Sequence, residues 1–517
     1  MPVPSSDVFK RLAAHIAIPA EAQRDSSTVI EPFTGNTLAS VPMGTAEDVE
    51  RAVQRARAAQ QVWAARPVAE RTAILNRYHD LVLANRDRLL DMAQAETGKS
   101  RMAAAEEIMD VAITARYYAR TAAKLLRPRR RAGLFPGLTK AVERHHPKGV
   151  VGVISPWNYP LTLAVTDALA ALAAGNAIVL KPDRQTPHTA LAAIELLYEA
   201  GLPKELFAVV TGAGSVVGTA IVENTDYLMF TGSTATGRTL AEQTGRRLIG
   251  FSAELGGKNA MVVTDGVNIP KVVNAAIRAC YANSGQLCIS VERLYVEQSI
   301  AAEFSKAFAE RVQAVKLDAG YEYGPEMGSL ASEAQLEAVS AHVDDAVAKG
   351  ATVLAGGKAR PDLGPFFYEP TVLTDVTEKM ECARTETFGP VVSIYPVAGV
   401  DEAVRLANDT EYGLNASVWA ATQAQGEAIG ARLRSGTVNV NEGYAAAWGS
   451  TDAPMGGMGT SGMGRRHGAE GLLKYTESQT VATQRLLPVA PPKGVSQKAY
   501  TSALFASVKL LKHLPGR

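Results

Sequence analysis

From residue 149 onward the chain alternates short, almost wholly apolar runs with stretches of helical spacing. No other feature limits its fold as much. VVGVIS (150–155), AIVLK (177–181), FAVVTG (207–212), YLMFTG (227–232) and LIGFSAEL (248–255) read as buried strands. Segments 161–174, 187–200, 215–223 and 236–247 read as helices. Apolar strands separated by helices call for a parallel sheet covered on both faces. A second alternating region, from about 260 to 441 (MVVTD, RLYVEQ, VLAGG, VVSIYPV, ASVWA, TVNVN), predicts a second α/β domain. A chain of 517 residues is too long for one core, which agrees.

Residues 44–126 read as helices, the first capped by Thr45 with acidic residues in its first turn. The basic run RPRRR (127–131) breaks that pattern. Segments 140–148 and 476–486 alternate polar and apolar residues outside both sheets and are expected to pair as an appended ribbon. The tail, QKAYTSALFASVKLLKHL (497–514), has Leu504, Val508 and Leu511 at helical spacing beside Tyr500 and Phe505, with Lys498, Lys509 and Lys512. Docking on its own oligomer is the simplest use of that face. Cover over the substrate entrance and contact with an anionic membrane surface are the alternatives.

Net charge of +1 gives no electrostatic case for nucleic-acid binding. The apolar stretch 149–180 is interrupted by Pro156, Pro160, Asp167 and Gly175, so no membrane span is expected. Cys280, Cys288 and Cys382 cannot form a disulfide framework. With no signal peptide, a cytoplasmic location is expected. No metal site is expected.

Several short motifs carry a chemical and a plain reading. VTGAGSVVG (Gly212, Gly214, Gly218) and FTGSTATG (Gly232, Ser233, Gly237) can present N–H groups to a phosphate, or be tight strand-to-helix turns. Lys181 ends a strand and either meets a ligand in the crevice or is a solvated turn lysine. Asn158, in the proline-stiffened SPWNYP, suits an oxyanion donor or a helix cap. Glu254, in SAELGGK, is expected to be desolvated towards the pKa range of a general base, or to be ion-paired. Cys288, in NSGQLCIS, has Gly285 opening the backbone beside it. It is either a nucleophile, its pKa lowered by a helix forming after the turn, or a small buried hydrophobe. Cys280 and Cys382 take the buried reading.

PWNYP, KPDRQTP, FTGSTATG, AELGGK, GQLC, ETFGPVV (386–392) and ANDTEYGLNASVWA (407–420) occur in this order. In this the chain resembles the aldehyde dehydrogenase superfamily over roughly residues 30–485. Within it, the chain resembles the actinobacterial type of NADP-dependent succinate-semialdehyde dehydrogenase. The resemblance implies Cys288 as nucleophile, Glu254 as the base that activates water, and Asn158 with the main-chain N–H of Cys288 as oxyanion donors. It implies cofactor contacts from Trp157, Asn158, Lys181, Pro182, Asp183, Arg184, Gly232, Ser233, Leu255, Glu386 and Phe388. It also implies a Rossmann-like cofactor domain (1–127 with 149–255), an α/β catalytic domain (256–455), an oligomerisation ribbon (128–148 with 470–488) and a C-terminal extension (489–517). A homodimer or homotetramer follows.

Arg184 stands three positions after Lys181, where NAD-preferring relatives commonly carry a glutamate. NADP is therefore expected, with NAD possible and Asp183 partly offsetting the charge. Two arginines that hold the remote carboxylate in known succinate-semialdehyde dehydrogenases correspond here to Thr166 and Ala282, neither charged. Tyr444, Trp448, Tyr159 and Tyr117 suggest a more aromatic pocket. Apolar or aromatic aldehydes are accordingly expected to be used at least as well as succinic semialdehyde. Arg293 or a tail residue is the remaining source of the missing charge. A CoA-acylating relative and a catalytically silent protein are the other readings. Glu254 speaks against the first, and the full set Cys288, Glu254, Asn158 and Lys181 against the second.

Overall fold

The computed structural model describes residues 3–133, 139–485 and 490–513. Its first sheet has six strands, in the order Gly462–Met463, Gly250–Glu254, Tyr227–Thr231, Val150–Ile154, Ala177–Lys181 and Phe207–Val209. The last five pair in parallel and are the apolar runs expected from the sequence. Ala177–Lys181 ends where expected, and the other four stop one to three residues early, because the chain there turns out of the carboxyl edge. Val150–Ile154 lies between Ala177–Lys181 and Tyr227–Thr231, so the strand order reverses at its carboxyl end and opens a crevice. The short strand Gly462–Met463 runs antiparallel and sets Gly462 opposite Glu254.

The second sheet has seven strands, in the order Thr352–Ala355, Thr371–Thr374, Val391–Val397, Val291–Glu297, Asn259–Val263, Asn415–Trp419 and Thr437–Val440. All neighbours are parallel except the first pair. Thr371–Thr374, with four residues, is too short to announce itself by pattern. The hairpin Ser26–Ile30 with Thr37–Pro42 buries one residue per strand, Val29 and Val41, and so carries no apolar run.

Thr139–Pro147 pairs antiparallel with Thr476–Gln484, from Thr476 opposite Pro147 to Gln484 opposite Thr139. The basic run ends the helical region after Leu126, as expected, and adds a third strand, Arg129–Arg131, on the other edge of Thr139–Pro147. Residues 134–138 and 486–488 of the expected ribbon lie outside the described residues. So do 1–2 of the first segment, and 489 and 514–517 of the tail.

Thr45 and Asp48 cap the helix Ala46–Ala65 reciprocally. Its buried stripe, Val49, Val53, Ala56 and Trp63, packs towards the first sheet, and the Trp63 indole donates to Leu172 O at 2.9 Å. That core also takes in Leu472 and Tyr475, so the chain returns to it after leaving the second sheet. The second core is built by the helices Ile269–Tyr281 and Gln298–Gln313 against the second sheet. The tail forms the helix Gln497–Leu511 with no fully buried residue. Tyr500, Leu504 and Leu511 are half-buried, whereas Phe505, Val508 and Leu510 are exposed. Among the described residues no helix is long and apolar enough to cross a membrane.

Candidate active site

The helix Ile269–Tyr281 ends in a run of left-handed residues, Asn283 (φ 51°), Ser284 (57°) and Gly285 (71°). Gly285 is required there, since a Cβ would lie 2.0 Å from Gly389 O. The chain then places Cys288 on a turn closed by Ser290 N–H donating to Leu287 O at 2.8 Å, and enters the strand Val291–Glu297. Asn259 pins this turn, its amide donating to Cys288 O at 2.8 Å and to Ser290 O at 2.7 Å. Asn259 was not a candidate from the sequence. Its signal was a polar residue opening an otherwise apolar central strand.

A helix after the turn was expected to lower the thiol pKa. The structure corrects this: the helix precedes Cys288 and a strand follows it. Burial pushes the thiol up to about 12, and Glu386 and Glu254 add to the shift. Arg466 pulls the other way, as does the thiol's contact with its own main-chain N–H. Cys280 and Cys382 are buried, as read from sequence.

Asn158 is buried, and its side-chain amide donates to Gln286 O at 3.1 Å, two residues before the nucleophile. Its main-chain carbonyl accepts from Lys99 Nζ at 2.7 Å and from the Asn283 amide at 3.1 Å. Lys99 is ion-paired with Glu107 at 2.6 Å. Glu107 in turn accepts from the main-chain N–H groups of Leu161 and Thr162 at 2.8 and 3.1 Å, capping the helix Pro160–Ala174. One buried ion pair thus orients the amide and the helix behind it.

Glu254 ends its strand buried, and burial raises its carboxyl to about 7. Arg466 is the leading charge opposing that shift, followed by Lys474. Arg466 also bonds Asp167 at 2.9 Å and donates to Thr166 Oγ1 at 2.5 Å. It was missed in sequence. It lies in the glycine-rich stretch after the second sheet, and only the tertiary fold carries it back to the helix Pro160–Ala174.

On the cofactor side, Lys181 is buried and its ammonium donates to Pro182 O at 3.1 Å. Asp183 Oδ1 accepts from Gln185 N–H at 2.9 Å, and Arg184 projects exposed from that turn. Ser233 caps the helix Thr234–Arg247, with Gly232 just before it at the strand end. Leu255 packs against Gly237, where a Cβ would lie 2.6 Å from it. Glu386 accepts from Gly257 N–H at 2.8 Å, and burial raises its carboxyl to about 8. A Cβ on Gly256 would lie 2.3 Å from Glu386 Oε2, so the glycine pair exists to admit this carboxylate. Phe388, at φ 52°, stands edge-on to Trp157 with centroids 5.6 Å apart. A helix N-terminus, a strand-end lysine and a glycine cradle along one crevice fit a dinucleotide.

Around Cys288 lies an apolar cluster of Tyr159, Leu163, Leu287, Ile289, Tyr444 and Met455, with Ala282 and Trp448 beside it. Three of the four expected aromatics are therefore present. Tyr117 is not among them; it donates to Asp452 at 2.7 Å. Arg293 supplies no charge here, because its guanidinium is spent on the carbonyls of Lys258, Leu406 and Ala407.

A model of the aldehyde dehydrogenase family matches residues 19–481. The chain belongs to the aldehyde dehydrogenase family. It is 64% identical over 517 residues, all of both chains, to a Mycolicibacterium smegmatis protein provisionally named succinate-semialdehyde dehydrogenase [NADP(+)]. A Mycobacterium tuberculosis protein with the same provisional name, numbered 2, is 62% identical over the full length of both. Among solved structures, an E. coli NADP dependent enzyme superposes with a TM-score of 0.87 at 32% identity, over 93% of this chain and 100% of that one. Betaine aldehyde dehydrogenase from Staphylococcus aureus in complex with NAD+ gives 0.88 at 31% identity, over 94% and 97%.

Proposed function

We propose that this chain oxidises an aldehyde to its carboxylic acid with NADP, through a covalent intermediate on Cys288 that Glu254 releases to water. The carrying observation is the convergence of Cys288, Asn158 and Glu254 from two sheets. Asn158 is tied to the loop two residues before the thiol, and the Glu254 charge acts on the thiol itself.

Cys288 gives up its proton to solvent water and, as thiolate, attacks the aldehyde carbon. The Asn158 amide and the Cys288 N–H are held to receive the alkoxide, each worth about 3–4 kcal/mol in the transition state. When bound, the nicotinamide provides the acceptor for the hydride lost as the alkoxide collapses. A thioester is left on Cys288. Glu254, half ionised near neutrality, takes a proton from water and frees the acid. Lys181, Gly232, Ser233 and Glu386 would hold the cofactor, and Arg184 its 2′-phosphate. The NADP(+) in the relatives' names supports that choice. On this reading residues 1–127 with 149–255 bind cofactor, 256–455 carry the nucleophile, and 128–148 with 470–488 join subunits of a homo-oligomer. Three unpaired cysteines suit a reducing cytoplasm.

For the substrate, the relatives' names support succinic semialdehyde, whereas the apolar cluster around Cys288 supports an apolar or aromatic aldehyde. Mixing protein, aldehyde and NADP with and without CoA tests the reaction. Reduced cofactor formed without CoA supports it, and a strict need for CoA contradicts it. A panel of succinic semialdehyde, hexanal and benzaldehyde ranks the substrates.

A further inference from the structure

We infer that Glu106 is the positioning residue of the substrate pocket. Its carboxylate, fixed by Arg278, draws the Tyr159 and Tyr444 hydroxyls away from the substrate, so that the two rings wall the space beside Cys288. An apolar aldehyde is then preferred over a polar one of the same size. This rests on the aldehyde-oxidising reading above and names its substrate class.

Elements from both halves of the chain meet at Glu106, which lies buried in the helix Arg101–Leu126. The Tyr159 hydroxyl donates to its Oε2 at 3.2 Å, from the N-cap of the helix Pro160–Ala174. The Tyr444 hydroxyl donates to its Oε1 at 2.9 Å, from the loop after the strand Thr437–Val440. Arg278, in the helix Ile269–Tyr281, donates to the same Oε1 through Nε at 3.1 Å and Nη2 at 2.7 Å. Both tyrosines belong to the apolar cluster around Cys288. Glu106 and Arg278 instead border a surface cleft with Met102 and Tyr323, which neither tyrosine lines. The ion pair thus stands behind the rings and pulls both hydroxyls towards the cleft.

A carboxylate paired with arginine accepts and cannot donate, and a phenol has a single proton to give. Both phenolic protons are spent on Glu106. Burial pushes both phenols well above their usual value, so they stay donors. Tyr159 is held on its face as well, with Lys99 Nζ 4.0 Å from the ring centroid. Lys99 pairs with Glu107, the next residue of the same helix. Two successive glutamates therefore hold two successive residues: Glu107 holds Asn158 through Lys99, and Glu106 holds Tyr159. Tyr444 opens the stretch that carries Trp448, and Tyr117 holds the far end of that stretch through Asp452 at 2.7 Å. A polar atom of the substrate finds no donor on either ring, and burying it unpaired costs affinity.

The test compares hexanal with 4-methoxybutanal, in which an ether oxygen replaces one methylene, at saturating NADP. Wild type should show kcat/KM at least tenfold higher for hexanal. Glu106→Met releases both hydroxyls and should lower that ratio at least fivefold, chiefly through KM for hexanal. Glu106→Gln keeps one acceptor oxygen in place of two and should lower it about threefold. Should Glu106→Met fail to fold, Glu106→Gln decides alone. A purely structural role would lower both efficiencies together, so an unchanged ratio in the deciding variant would overturn the inference. So would equal efficiencies in wild type. A loss carried by kcat with KM unmoved would overturn it too, because Glu106 would then act on Asn158. Wild-type oxidation of succinic semialdehyde but of neither test aldehyde would also overturn it. Oxidation of none of the three would instead defeat the reading on which the inference rests.

Discussion

The ammonium of Lys99 donates to the main-chain carbonyl of Asn158 at 2.7 Å while paired with Glu107 at 2.6 Å, and neither side chain of the pair reaches solvent. Removing one member of such a pair strands the other in low dielectric. Lys99→Met is therefore expected to destabilise the fold by about 3–5 kcal/mol. The surviving folded protein should also lose kcat, because Asn158 and the N-terminus of its helix are no longer anchored. Denaturant unfolding and the kcat of the folded fraction check both outcomes.

Glu254 is raised to about 7 by burial, so the carboxylate that acts as base is the minor form below that pH and the major form above it. The hydrolysis step should rise about tenfold per pH unit below the midpoint and level off above it. Single-turnover thioester decay across pH 5–9 checks this. Glu254→Gln should flatten the profile.

The Cys288 thiol, pushed up to about 12 by burial with Glu386 and Glu254 adding, is neutral in the free protein at pH 7. Alkylation by iodoacetamide should be slow there and climb about tenfold per pH unit up to pH 10. Glu386, raised to about 8, is negative only above that pH, so Glu386→Gln should speed alkylation between pH 9 and pH 10 and change it little at pH 7. An unchanged rate between pH 9 and pH 10 in this variant would mean that Glu386 does not act on the thiol.

Arg184 stands exposed on the turn after Lys181, with Asp183 turned onto Gln185 N–H. Arg184→Glu should cut kcat/KM with NADP at least tenfold, about 1.4 kcal/mol, and leave NAD less affected. Efficiency higher with NAD than with NADP in the wild type would contradict the assignment of this arginine.

Local pattern made the first sheet, most of the second and the pairing of 139–147 with 476–484 legible. Strands buried on both faces are continuous apolar runs, and the ribbon alternates. Thr371–Thr374, two apolar residues between threonines, carries too little pattern. Cys288, Glu254 and Asn158 were legible because each sits in a motif whose glycines or prolines mark a backbone constraint. Lys99, Asn259 and Arg466 were not. Each acts on a residue far away in sequence, Lys99 on Asn158, Asn259 on Cys288 and Arg466 on Thr166, and no local spacing encodes such a contact. The direction of the thiol shift was misread for a related reason. It depends on Glu386 and Glu254 gathering around Cys288, which only the assembled site shows.

The division of labour between Cys288 and Glu254 is tested most directly by rapid mixing of Glu254→Gln with NADP and aldehyde, with Cys288→Ala as the reference that binds cofactor without turnover. The expected result is a burst of reduced cofactor approaching one per active site, followed by a steady state at least 100-fold slower than wild type, because the thioester on Cys288 forms but waits for water. A first turnover slowed as much as the steady state, with no burst, would contradict the account and place Glu254 in activation of the thiol instead.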